Sequence, residues 1–178
     1  MKQLKPLLIT AAVTILFTFG QCKKKTEEPQ LPPETTTGAM TFGCKVNGKV
    51  FVPRGGRGRP GLFVQYVNLG PGPGGGWFLN IPATNWLPNP PEGVNIETDS
   101  LLVNQGQTYQ FKNLKGSAQA FYDNGNVYQK LNDDTGELKI TKFDQTNRIV
   151  SGTFFFIGTN LTTGEKISIT EGRFDISY

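Results

Sequence analysis

The stretch "TFGCKVNGKVFVP", residues 41–53, decides how the fold is interpreted. Apolar and polar residues alternate before Asn47-Gly48, so the apolar ones share one face of an extended segment. Asn-Gly is the strongest short-range signal for a two-residue hairpin, because both turn positions need positive φ. The stretch therefore predicts a β-hairpin with one buried face, on which Cys44 packs in the core as a small hydrophobe.

Strand-like segments of the same kind continue to the last residue of the chain. The 178 residues include 22 Gly, 12 Pro and 13 Phe, a composition that favours short strands joined by tight turns. Nine or ten such strands predict an all-β domain over residues 41–178, a single antiparallel β-sandwich or flattened barrel built as a hairpin meander. The further segments are residues 61–68, 77–83, 108–111, 117–123, 127–131, 136–144, 148–158 and 166–178.

The last segment changes phase before it ends. Ile167 and Ile169 lie on one parity, whereas Phe174 lies on the other. Because alternate residues of a strand face opposite sides, both sets face one core only if an extra residue is inserted between them. The sequence therefore predicts a β-bulge at Glu171-Gly172.

The first 21 residues have the layout of an export signal. A basic start is followed by an apolar run over residues 7–19. That run is shorter than the roughly 20 residues needed to cross a bilayer as a helix, so it predicts a signal peptide and not a permanent span. Phe19-Gly20-Gln21-Cys22 resembles a lipobox, although Gln21 stands where a small residue is usual.

Cys22 is accordingly predicted to be lipidated and to become the new N-terminus. Two or three acyl chains hold a protein durably at a membrane, whereas one chain holds it only marginally. Residues 22–40 follow as a polar segment rich in Pro and Thr, which predicts a disordered tether. The alternative is a disulfide between Cys22 and Cys44, which lipidation of Cys22 would forbid.

The two ends of the domain resemble a known family. "TFGCKVNGKVFVP" after a lysine-rich lipobox, together with "IVSGTFFF" and a terminal "ITEGRFDISY", is similar to an uncharacterised family of lipoproteins from Bacteroidetes-type bacteria. The segment "CKKKTEE" resembles the export mark that this group carries for the outer leaflet. The resemblance implies a lipid-anchored position at the outer membrane or cell surface, and it implies no activity.

Composition excludes several kinds of chemistry. The chain has no histidine, which removes the commonest general base, the Ser-His-Asp and Cys-His nucleophile systems and most zinc sites. Residues 41–178 carry 13 basic and 11 acidic side chains, and a net charge of +2 is not the footprint of a nucleic-acid-binding protein. We therefore expect no catalytic residues, no metal, no cofactor and no nucleic-acid partner.

Two acidic motifs are interpreted as structural. Asp134-Thr135-Gly136 matches three letters of the aspartic-protease motif, but no second copy exists to supply the paired carboxylate. Its spacing is also not that of an EF-hand calcium loop, so turn formation between two strands explains it better. Arg173 and Asp175 are two positions apart in one strand, and we expect them to form an exposed ion pair.

The candidate binding residues lie in two loops. Trp86 stands in "TNWLPNPPEG", and a tryptophan is costly to expose in such a loop unless it stacks on a partner. Arg54, Arg57 and Arg59 lie in "PRGGRGRPG", which predicts a flexible loop able to meet an acidic glycan, lipopolysaccharide or a protein. Ser100 follows Asp99 in a short sequence that resembles a bacterial O-glycosylation site.

Two hypotheses about function follow from the sequence. The first hypothesis is a non-catalytic β-domain, anchored in the envelope by lipid, that contacts a glycan or a protein or has a structural role. The alternative is a hydrolase or isomerase that uses carboxylates. Paired buried carboxylates in a deep pocket would favour the enzyme, and Trp86 on one rim with the arginine loop would favour binding.

Overall fold

The computed structural model describes residues 29–178, in which every regular element is a β-strand. The all-β prediction is confirmed, with eleven antiparallel strands in place of the nine or ten expected. The strands are β1 (Thr41–Val46), β2 (Lys49–Phe51), β3 (Gln65–Asn68), β4 (Trp77–Asn85), β5 (Glu92–Asp99), β6 (Thr108–Gln110), β7 (Ser117–Asp123), β8 (Val127–Gln129), β9 (Gly136–Asp144), β10 (Ile149–Asn160) and β11 (Lys166–Ser177).

All strands belong to one hydrogen-bonded sheet that folds over on itself. Its main order is β2-β1-β11-β10-β8-β7-β5-β4-β3, and β9 pairs with both β10 and β6. One half of the sheet contains β1, β2, β6, β9 and β11, and the other contains β3, β4, β5, β7 and β8. β10 joins the two halves, because it pairs with β9 from Ile149 to Phe156 and with β8 only at Thr159 and Asn160. The fold is therefore consistent with a sandwich or a flattened barrel.

A single core lies between the two halves of the sheet. Its fully buried side chains include Phe156 from β10, Ile81 from β4 and Ile96 from β5. Burying a side chain of this size contributes about 1.5 to 3 kcal/mol to the free energy of unfolding. Cys44 is a free thiol with 0% exposure among these residues, as its alternation with the apolar neighbours predicts.

The predicted bulge in β11 is confirmed. Phe154 of β10 lies opposite Gly172, whereas Phe156 lies opposite Ile169, so two residues of β11 face the single residue between them. Glu171 has a φ of 51°, which places the extra residue in the left-handed region. The bulge turns the residues on both of its sides toward the core.

The domain begins before the strand that the sequence predicts as its start. Residues 31–40, which we call the strap, run along the outside of β1 and β11. The backbone N–H groups of Thr37, Gly38 and Ala39 donate to the Asp175 carboxylate at 2.9, 2.8 and 3.2 Å. The disordered tether predicted as far as residue 40 therefore does not extend through this part of the chain.

The expected ion pair between Arg173 and Asp175 is wrong. Asp175 is 1% exposed because the strap covers it, and it also accepts hydrogen bonds from the hydroxyls of Thr35 and Ser151 at 2.6 and 2.7 Å. Arg173 instead lies 3.8 Å from the Glu34 carboxylate of the strap. A buried carboxylate needs several donors, and here the backbone of a distant segment supplies them.

Two further predictions concern the start of the chain. The signal peptide, residues 1–21, and the lipidated Cys22 lie outside the described residues and stay predictions. Within residues 29–178 no helix has the length and hydropathy needed to cross a membrane.

Candidate functional site

The three arginines lie on a tight hairpin between β2 and β3. Gly56 and Arg59 exchange two backbone hydrogen bonds of 3.0 Å each, and between them Arg57 and Gly58 have φ angles of 54° and 74°. Positive φ at both central positions defines the type I′ turn that suits a two-residue hairpin. The segment predicted as a flexible loop is therefore a hydrogen-bonded hairpin, which we call the arginine hairpin (residues 53–62).

The arginine hairpin is attached to the end of β4. The N–H of Arg54 donates to the carbonyl oxygen of Thr84 at 3.0 Å, and the N–H of Thr84 donates to that of Gly61 at 2.6 Å. A side chain at Gly61 would meet the backbone of Arg54 at 2.6 Å, so only glycine allows this approach. Backbone contacts thus fix where the arginines are presented.

Trp86 holds the same hairpin from the other side. Its Nε1–H donates to the carbonyl oxygen of Pro60 at 2.9 Å, and the Arg59 guanidinium lies 4.8 Å from the centre of its ring. The side chain is half-buried, and part of its surface is already used within the chain. Trp86 and the arginines therefore share one rim, the arrangement that would favour binding, but Trp86 supports the arginines and is not a fully exposed platform.

A shallow depression of about 290 Å³ lies beside Trp86. Thr84, Pro90, Pro91 and Asp123 line it together with the indole. Apolar rings and a few polar oxygens are the usual composition of a small-ligand site. The depression and the arginine hairpin together form the candidate binding site.

The arginines of the hairpin have no carboxylate partner in the described part of the chain. None of the ion pairs found in residues 29–178 includes Arg54, Arg57 or Arg59. All three side chains are exposed. Three cations on one short hairpin therefore leave an uncompensated positive charge at this rim of the domain.

Ser100 is held inside its own turn. Its hydroxyl donates to the carbonyl oxygen of Gly75 at 2.5 Å, and its φ is 52°. Gly76 approaches the Ser100 side chain so closely that a Cβ there would lie 2.9 Å from it. O-glycosylation of Ser100 stays a prediction, and it requires this hydrogen bond to break.

Cys44 and Asp134, the residues with chemistry that catalysis could use, both have structural roles. Burial raises the pKa of the Cys44 thiol, and the carboxylate of Glu92 raises it further. Asp134 accepts hydrogen bonds from the Thr159 hydroxyl at 2.7 Å and from the Lys166 ammonium at 2.6 Å. Burial alone would raise the pKa of Asp134, but these bonds bring it below its ordinary value. Asp134 therefore fixes its turn to β10 and β11.

A second depression, of about 360 Å³, contains three carboxylates. Glu34, Glu137 and Glu171 line it with Arg173 and the partly exposed Phe155. The side chains of Glu34 and Glu171 are 59% and 50% exposed, so they are hydrated and not enclosed. In residues 29–178 no group of three His, Cys, Asp or Glu side chains has the arrangement of a metal site.

Fold and site define the class of this protein as an antiparallel β-domain with a cationic rim. The chain belongs to the family DUF6252, a domain of unknown function, whose model matches residues 78–175. No curated protein and no solved structure matches the chain. The matched residues include Trp86 and the depression beside it but begin after the arginine hairpin.

Proposed function

We propose that this protein is a lipid-anchored module of the bacterial envelope that displays a non-catalytic β-domain, and that the arginine hairpin binds an anionic glycan. The observation that carries the proposal is the fixed presentation of Arg54, Arg57 and Arg59 without a carboxylate partner in the described residues. Three like charges held close together create a local positive potential, which attracts an anionic ligand.

The chemistry of arginine favours phosphate or carboxylate groups of a glycan. A guanidinium presents its N–H donors in a planar fork that matches both groups bidentately. Arg57 adopts a left-handed φ of 54°, a conformation that costs a side-chain-bearing residue about 1 to 2 kcal/mol. Backbone strain of this kind is often found at binding sites, where the surrounding structure maintains it.

The strap supports a display function through its direction. Gly38 lies beside Ser177, which donates to its carbonyl oxygen at 3.1 Å, and Pro32 packs on Gly43 farther along β1. The strap therefore runs antiparallel to β1, and its first residues point toward the Asn47-Gly48 turn. The arginine hairpin follows β2 at the opposite end, so an anchor before the strap leaves the arginines directed away from the membrane.

Binding is tested by titrating the mature protein with purified lipopolysaccharide, an anionic glycolipid, by isothermal calorimetry. We expect the combined Arg54→Ala, Arg57→Ala and Arg59→Ala exchange to weaken binding at least tenfold. The combined exchange of three other exposed cations, Lys49, Lys112 and Lys139, to Ala removes the same charge elsewhere and should have little effect. Equal losses in both variants would show that only net charge matters.

The anchor is tested separately by mass spectrometry of the mature N-terminus from native cells. We expect an acylated Cys22 as the first residue. An unmodified Cys22, cleavage at another position, or a bond between Cys22 and Cys44 would refute the anchoring part of the proposal. The binding part does not depend on this result.

The alternative, a hydrolase or isomerase, has weaker support. It requires two carboxylates that share an enclosed site so that one stays protonated. Glu34, Glu137 and Glu171 line one depression together, and two of these are at least half exposed. Water would screen their interaction, so this depression is a poor place for acid and base roles.

A further inference from the structure

The outer face of β3, β4, β5 and β7 has an unusual composition. Residues such as Leu79, Ile81 and Ala83 point into the core, so the residues between them point outward. The same alternation holds in β5 and β7, whose outward residues are half-buried except for the exposed Asp123. We call the following set the amide face: Gln65, Asn80, Glu97 and Gln119, flanked by Phe63 and Phe121.

Four residues of the amide face form one row across the strands. Gln65 lies opposite Asn80, Asn80 opposite Glu97, and Glu97 opposite Gln119. Adjacent strands are about 4.8 Å apart, so the row is roughly 14 Å long. Asn95 donates a 2.8 Å hydrogen bond to the Glu97 carboxylate and so restrains its orientation.

The chemistry of this row fits hydroxyl groups. The carboxamides of Gln65 and Gln119 can both donate and accept hydrogen bonds, as each hydroxyl of a sugar does, whereas the carboxamide oxygen of Asn80 is buried. Phe63, which is 48% exposed, offers an apolar surface for the C–H face of a sugar ring. No outward position of these four strands is Lys or Arg, so nothing on this face selects an anion. An uncharged, hydroxyl-rich chain is the ligand that matches both features.

The amide face is continuous with the depression beside Trp86. Pro82, Asn95 and Phe121 form the next row. Beyond it, Thr84 lies opposite Gly93 and Gly93 lies opposite Asp123, in a third row of the same face toward the arginine hairpin. Thr84 and Asp123 both line the depression. A chain that crosses the amide face therefore reaches the arginine hairpin at one end.

We propose that the amide face binds uncharged sugar units of an extended glycan whose acidic group is held by the arginine hairpin. The inference rests on the proposed function for the acidic group only. The uncharged units bind through hydrogen bonds and ring contacts that do not involve the arginines. Exchanges in the arginine hairpin should therefore weaken binding of acidic glycans, whereas exchanges in the amide face should weaken binding of uncharged ones.

The test uses the mature protein on an array of uncharged and acidic bacterial glycans, followed by calorimetry with the uncharged glycan that gives the strongest signal. We expect the Gln65→Ala and Gln119→Ala pair to weaken that binding about tenfold or more. The Phe63→Ala and Phe121→Ala pair should do the same. Matched exchanges on the opposite half of the sheet, Gln110→Ala with Thr141→Ala, should leave it unchanged.

The outcomes separate the two proposals. If the triple arginine exchange abolishes binding of acidic glycans but spares uncharged ones, both proposals stand. If uncharged glycans bind through the amide face and the arginine exchange changes nothing, the proposed function fails and the amide face remains a site. If no uncharged glycan binds, or the exchanges of Gln65 and Gln119 leave binding intact, the inference is wrong. Because both glutamines are on the solvent side, a thermal melt should show these variants folded.

Discussion

The Asp175 carboxylate accepts a 2.8 Å hydrogen bond from the backbone N–H of Gly38, a residue 137 positions earlier in the chain. This contact joins the strap to the last strand of the sheet. Burial alone would raise the pKa of Asp175, but hydrogen bonds from Thr35, Ser151 and the strap backbone hold it well below its ordinary value. One ionised group therefore accepts most of the hydrogen bonds that hold the strap to the domain.

Exchange of Asp175 for Asn should release the strap. Asn keeps the shape of the side chain but replaces one acceptor oxygen with a donor, which would face N–H and O–H donors. We expect the free energy of unfolding to fall by about 1.5 to 3 kcal/mol, the range for a hydrogen bond to a charged group. Hydrogen exchange at Gly38 and Ala39 should accelerate. The exposed Asp133→Asn is the matched control and should change neither quantity.

The same carboxylate predicts the response to acid. A carboxyl whose pKa is lower in the folded than in the unfolded state contributes stability above its unfolded pKa of about 3.9 and loses it as pH falls toward the folded value. Hydrogen bonds from Asn147 lower the pKa of Asp144 to about 2, so this group acts in the same direction. Denaturation at pH 7, 4 and 3 should show a fall in stability below pH 4 that is smaller in Asp175→Asn. An equal fall in both proteins would contradict the assignment to Asp175.

Exchange of Arg57 for Gly should separate stability from binding. Gly tolerates the left-handed φ of 54° without steric cost, although it loses more backbone entropy on folding. We expect the free energy of unfolding to rise by about 0.5 to 1 kcal/mol while binding of lipopolysaccharide weakens. Urea denaturation and calorimetry measure the two effects. A less stable variant would show that the 3.4 Å hydrogen bond from the Arg57 guanidinium to the carbonyl oxygen of Pro88 contributes more than the relief of backbone strain.

The Cys44 thiol should be unreactive in the native protein. It is 0% exposed, and burial raises its pKa, so little thiolate is available to attack a reagent. Labelling with a disulfide reagent at pH 8 should proceed only as fast as the domain opens, and it should become immediate in denaturant. Rapid labelling without denaturant would mean that β1 detaches readily from the sheet.

Local patterns predicted the hairpins and the core well. Asn47-Gly48 and the phase change at Glu171-Gly172 are signals contained within a few residues, and both are found in the structure. β5 was not predicted, because only two of its buried positions, Val94 and Ile96, are apolar and the third is Thr98. Its alternation of buried and outward residues is what a half-exposed strand requires, and it is the same property that creates the amide face.

The strap and the site depended on contacts that the sequence does not display. A segment rich in Pro and Thr has the composition of a disordered tether, and only the distant Asp175 gives its N–H groups a partner. The glycines around Arg57 favour flexibility equally well, and the anchoring to Thr84 arises from the pairing of β4. Composition predicted where the arginines and the strap lie in the chain, whereas long-range hydrogen bonds determine how both segments are held.

The most direct test of the central claim is the salt dependence of lipopolysaccharide binding by the wild type and by the variant with Arg54, Arg57 and Arg59 exchanged for Ala. Exposed charges are screened beyond about 10 Å at 0.1 M salt, so binding that depends on these cations must weaken as salt rises. The account predicts steep weakening for the wild type and a nearly flat response for the variant. Parallel salt responses in the two proteins would contradict it, because the anion would then be bound elsewhere.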